Sequence, residues 1–100
     1  MIRGTTPTHV FNLPIASEEI AELKIIYAQD DNILLTKRKN ECEIKEKSAI
    51  IRLTQEETFL FDYKKPVQIE IRALLVNDVA LKSPIMQRSV DKCLDNEVLE

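Results

Sequence analysis

Glycine occurs only once in these 100 residues, at Gly4. Phosphate-cradling loops, dinucleotide fingerprints and EF-hand loops all need glycine where the backbone bends sharply or closes on a ligand, so none of them can be built here. Tryptophan is absent, which removes the Cys–Trp–Cys core of antibody domains. His9 is the sole histidine and so the one side chain that titrates near neutrality as an unperturbed base. The only cysteines are Cys42 and Cys93, and with one histidine they show none of the short paired spacings of a structural zinc site. A small secreted domain usually carries more cysteine, so these two read as reduced thiols in a cytosolic protein. A Cys42–Cys93 bridge stays open sterically if the strands beside them are neighbours. No apolar run approaches the ~20 residues that span a bilayer. Met1 to Pro14 also lacks the apolar centre of a secretory signal. Neither a membrane nor a cofactor is expected as a partner.

What is present is aliphatic and charged. Ile (12), Leu (11) and Val (6) supply most of a 44% hydrophobic content, enough for one core and not for two. The net charge of −3 is spread evenly, with 7 basic and 8 acidic residues in positions 1–50 and 7 and 9 in positions 51–100. The one basic run, Lys37-Arg38-Lys39, is followed by Glu41, Glu43 and Glu46, which cancel its field. A phosphate backbone needs a basic face, so nucleic acid is not an expected partner either. No repeat or linker divides the chain, and residues 1–100 read as one domain, with residues 1–7 and 94–100 as loosely tied ends.

The dominant period is two, the spacing of a half-buried strand. Thr8–Leu13 places His9, Phe11 and Leu13 on one face, and Leu23–Gln29 does the same with Leu23, Ile25 and Tyr27. Asp30-Asp31-Asn32 reads as a hairpin turn into Ile33–Arg38, because short Asx side chains tolerate left-handed backbone. Cys42–Lys45 and Ser48–Leu53 form a second up-down pair around Glu46-Lys47. Val67–Leu75 is the clearest strand, with Val67, Ile69, Ile71, Ala73 and Leu75 on one side. Asn77-Asp78 then turns the chain into a last strand near Ala80–Val90, where Pro84 marks a bulge or an edge. Thr54-Gln55-Glu56-Glu57 is a capping box for one helical turn that carries the chain between sheets, with Phe59 and Phe61 closing that end of the core. Seven short strands predict an all-β, immunoglobulin-like, two-sheet antiparallel sandwich with one short helical turn. An α+β alternative, with a helix over 17–28, rests on Ser17-Glu18-Glu19-Ile20 as a helix start. The β-branched and aromatic run Ile25-Ile26-Tyr27 argues instead for one turn followed by a strand.

No enzyme is expected. A Cys–His nucleophile pair between His9 and Cys42 or Cys93 has the residue types but no motif to bring them together. Asp30-Asp31, or Asp91 with Asp95 and Glu97, offers oxygen to a hard cation, yet solvated turns account for these residues. More informative are the apolar doublets Ile25-Ile26, Leu34-Leu35, Ile50-Ile51 and Leu74-Leu75, since one member of each must face outward on a strand. In immunoglobulin order, Ile26 and Ile50 would be neighbours on one sheet, and Leu34 and Leu74 on the other. These four residues are the predicted interface, through which identical or different protein subunits would associate into an oligomer.

Three segments, Arg3-Gly4-Thr5-Thr6-Pro7-Thr8-His9, Leu53-Thr54-Gln55-Glu56-Glu57-Thr58-Phe59 and Lys92-Cys93-Leu94-Asp95, resemble small uncharacterised proteins encoded in prophages of Gram-positive bacteria. The resemblance implies a phage-associated virion or assembly component in the host cytoplasm or in a virion, and brings no catalytic residues. The second class of function is a regulatory protein that captures one partner by strand addition at a sheet edge, at the first or the last strand.

Overall fold

The structure is a computed structural model that describes residues 1–100. Its longest strands lie where apolar alternation is strongest. In β2 (Ile20–Gln29), Leu23, Ile25 and Tyr27 are buried on one face; in β6 (Val67–Leu75), Val67, Ile69 and Ile71 are. The two pair antiparallel from Ile20↔Leu75 to Ala28↔Gln68 and form the centre of the larger sheet. Each large aliphatic or aromatic side chain buried there contributes about 1.5–3 kcal/mol of transfer free energy.

Turn chemistry sets the hairpins. Asp30 and Asp31 both take left-handed backbone, at φ 49° and 63°, and this pair of conformations joins β2 to β3 (Asn32–Arg38) without splaying the strands. Glu46, at φ 52°, turns β4 (Glu43–Lys45) into β5 (Ser48–Arg52). Val76-Asn77-Asp78 closes a third hairpin, with Asp78 at φ 66° and the Leu75 N–H donating to Val79 O at 2.9 Å.

Local signals at the helical turns hold as well. Ser17–Glu19 is a single 3-10 turn that gives way to β2 at Ile20, so a helix over 17–28 does not form. The capping box is complete around α1 (Gln55–Thr58): the Glu57 N–H donates to Thr54 Oγ1 at 3.1 Å, and the Thr54 N–H donates to Glu57 Oε1 at 2.9 Å. The turn carries the chain from the smaller sheet to the larger, and Phe61 behind it is buried in the core. Phe59 packs instead at the rim, under the Arg3 guanidinium at 5.3 Å from its ring centre.

The result is an all-β sandwich of two antiparallel sheets. One has the order β1-β5-β4, with β1 spanning Thr8–Asn12; the other runs β3-β2-β6 with β7 (Ala80–Lys82) and β8 (Met86–Arg88) both on the far side of β6. The expected last strand is thus split at Ser83-Pro84-Ile85. Ser83 bridges the break, its N–H donating to Ile71 O at 2.8 Å and its Oγ accepting from the Ile71 N–H at 2.9 Å.

One arrangement differs from expectation. In an immunoglobulin sandwich the second strand lies between the first and the fifth. Here β2 lies between β3 and β6, because the tight Asp30-Asp31 turn keeps β2 and β3 in one sheet. The N-terminal segment, expected to be loosely tied, is hydrogen-bonded into the body. The Gly4 N–H donates to Thr58 Oγ1 at 2.9 Å, the Arg3 N–H to Asp91 O at 3.2 Å, and the Leu53 N–H to Pro7 O at 3.0 Å. In the C-terminal segment, Leu94 and Leu99 are exposed, and Leu99 is held through its backbone by the Gln55 side chain.

A cleft along an unpaired edge strand

β1 pairs only with β5, in a register from Thr8↔Arg52 to Asn12↔Ser48. The Leu53 N–H donates to Pro7 O and the Leu13 N–H to Lys47 O, both in the same register. Antiparallel pairing alternates, so the odd-numbered residues of β1 direct their backbone groups at β5. Those of Thr8, Val10 and Asn12 therefore point away from it, and no hydrogen bond within the chain engages them. Unpaired strand backbone is a template for another strand.

The sandwich is open on this side. A cleft of about 610 Å³ runs beneath β1, over Val67, Ile69 and Ile71 of β6 and against Met86 and Arg88 of β8. A second stretch of about 340 Å³ continues it past Leu13, Ile20, Ala73 and Leu81, and the two share Asn12, Ile71, Ser83 and Pro84. The opposite side is closed by Leu35, Cys42 and Ile44 packed on the core, and by the ion pair of Lys37 with Glu57.

The free edges differ in chemistry. β3 carries Lys37 and Arg38 and a bulge where Leu35 pairs with Tyr27 and Ile33 with Ala28. β4 has three residues, two of them Glu43 and Lys45. The outer edge formed by β7 and β8 is broken by Pro84 and carries Lys82 and Arg88. Bulges, charges, brevity and proline all discourage further pairing. β1, Thr-His-Val-Phe-Asn, has none of these devices within its five residues; Pro7 and Pro14 lie just outside it.

His9 enters the cleft from β1. Its Nδ1 lies 2.8 Å from Tyr27 Oη, and its ring stands edge-on to Phe11 with 6.1 Å between centres. Burial, then the positive N-terminus and Arg88, holds the imidazole below its ordinary value. Burial, with Cys42 and Glu57 nearby, pushes the Tyr27 phenol well up. Both shifts favour the neutral forms, so this is a bond between uncharged partners at neutral pH.

The thiols lie elsewhere. Cys42 Sγ donates to Arg38 O at 3.1 Å and Cys93 Sγ to Asp95 O at 2.9 Å, and both are free. Burial, followed by Glu41, pushes the Cys42 thiol up against the opposing pull of Lys37, the reverse of an activated nucleophile. The acidic turns are engaged internally: Asp30 pairs with Lys65 at 2.7 Å, and Asp31 accepts from Gln68 Nε2 at 3.0 Å. Asp95 accepts from the Glu97 N–H at 2.9 Å. No three side chains of metal-binding type converge.

The predicted interface residues are dispersed. Ile26 lies in the larger sheet between Thr36 and Glu70, whereas Ile50 lies in the smaller between Val10 and Glu43. Leu34 is on β3 and Leu74 on β6, with β2 between them. Ile26 is also only 9% exposed, beside a small hollow that Ile33 and Ile85 help to line. The pairings expected from immunoglobulin order fail because β2 changed sheets. Ile50 alone adjoins the open edge, through its exposed neighbour Val10. Sequence reading named β1 as a free edge but did not single out Val10. The absence of charge between two prolines was the available signal.

No family model matches the chain, and searches of curated proteins and of solved structures find no match either. No helix is long and apolar enough to cross a membrane.

Proposed function

We propose that this chain is a non-enzymatic interaction module that accepts an extended segment of a protein partner along β1. The carrying observation is the set of unpaired backbone groups at Thr8, Val10 and Asn12, aligned above a cleft that opens onto the core. Strand addition supplies affinity through main-chain bonds and specificity through alternate side-chain positions. An added strand would lie in the smaller sheet beside β1, set one row of side chains into the cleft and extend the Val10–Ile50 row on the outer face. The resemblance to prophage-encoded proteins supports a role in building or regulating a phage assembly, in the host cytoplasm or in the virion.

The edge itself provides the test. The Val10 N–H points outward, so Val10→Pro removes a donor from the free edge without breaking a bond to β5. A protein with near-native stability that no longer captures its partner is the expected outcome. Phe11→Pro is the contrasting variant, because the Phe11 backbone faces β5, and a loss of about 3 kcal/mol or more is expected there. Full partner capture by a folded Val10→Pro variant, followed by pull-down from phage-producing cells, would overturn the reading.

A further inference from the structure

The residues that line the cleft have a one-sided charge. The chain has 17 acidic residues and a net charge of −3, yet neither stretch of the cleft is lined by a carboxylate. Two cationic side chains line it. At the Pro14 end, Lys82 is neutralised by Glu70 at 3.2 Å. At the Thr8 end, the Arg88 guanidinium makes no ion pair; its Nη1 donates to the carbonyl of its neighbour Gln87 at 2.8 Å. The Met1 ammonium lies at that same end, 2.9 Å from Ser89 O. A cleft with Val67, Ile69 and Ile71 as its apolar floor and an unpaired positive charge at one end selects for a strand of matching pattern.

We infer that the segment β1 accepts is an extended peptide with apolar side chains at alternate positions and a carboxylate at the end that meets Arg88. The inference rests on the strand-addition reading and adds the chemistry of the partner. Main-chain bonds to Thr8, Val10 and Asn12 fix the strand beside β1. Its inward side chains then fall over Ile69 and Ile71, and a Glu or Asp next to Thr8 comes within reach of the guanidinium. Arg pairs with carboxylate through two parallel N–H donors, so geometry as well as charge favours an acid over an amide. The pair is partly exposed and sets the orientation of the strand more than its affinity.

The experiment is selection from a display library of random ten-residue peptides against the intact chain, with Val10→Pro and Arg88→Gln proteins in parallel. The expected winners alternate apolar residues and carry Asp or Glu at one fixed end. Replacing that acid by its amide should weaken binding about two- to fivefold on the native protein and leave it unchanged on Arg88→Gln, as expected for a charge-assisted pair near a surface. Peptides that bind the native chain and not Val10→Pro, but show no acid at a fixed end, overturn the charge inference and leave strand addition standing. Winners that bind Val10→Pro equally well, or no winners at all, overturn both.

Discussion

Gly4 is the one position where the backbone itself dictates the residue. Its φ is +79°, and a Cβ added there would lie 2.8 Å from Cζ of Phe59 and 3.4 Å from Sγ of Cys93. Its N–H is also the partner of the fully buried Thr58 hydroxyl. Gly4→Ala combines left-handed strain with a clash against a packed ring, and a loss of about 2 kcal/mol is expected, read as a shift of the urea midpoint. Asp78 is the mirror case. It takes φ 66° at the last position of the Val76-Asn77-Asp78 turn, where glycine carries no steric cost. Asp78→Gly should therefore stabilise the fold by about 0.5–1 kcal/mol, measured in the same way. If Gly4→Ala is silent while Asp78→Gly destabilises, the assigned backbone conformations are wrong at both sites.

Elements were legible where their signals are local. β6 runs over the residues its alternation predicts, and the capping box forms with both of its hydrogen bonds. Thr54→Ala removes the acceptor for the Glu57 N–H and should cost about 1 kcal/mol in thermal or urea unfolding, with Thr54→Ser restoring most of it. The sheet to which an element belongs was not legible. An alternation of two marks which residues share a face, and it is the same whether β2 neighbours β1 or β6. The interface predicted at Ile26, Ile50, Leu34 and Leu74 depended on that choice. The surroundings of β1 depend on it too, since moving β2 into the larger sheet makes β5, not β2, the one partner of β1. The alternation of β1 was visible in advance; the emptiness beside it is a property of the assembled sheets.

At the scale of the whole molecule, the two sides of the sandwich respond to acid at different pH. On the open side, His9 faces Tyr27 from β2, Arg88 from β8 and the Met1 ammonium, and it is held below its ordinary value of 6.5 by burial first and then by the two cations. As pH falls through 6.5 the unfolded chain takes up a proton on this histidine before the folded one does, so stability declines until the folded group also protonates. On the closed side, burial would raise Glu57, but the Lys37 ion pair and the two Thr54 hydrogen bonds together outweigh it and hold the carboxyl below 4.5. That contribution is present above 4.5 and is lost only as pH falls through the lower, folded value. Two windows follow, the first starting near 6.5 and belonging to His9, the second below 4.5 and belonging to Glu57. His9→Gln keeps a polar group opposite Tyr27 without a titrating proton. Urea unfolding at closely spaced pH should show the first decline in the native chain and its absence in His9→Gln, with the acidic decline kept in both. An unchanged first window in His9→Gln would mean that the cleft histidine is not held neutral. Protonation of His9 would also add a third positive charge at the end of the cleft that receives the carboxylate. Once pH falls below the folded value of His9, capture of an acidic strand should therefore strengthen where the fold is weaker, and peptide binding followed across the same pH series as the urea unfolding separates the two effects.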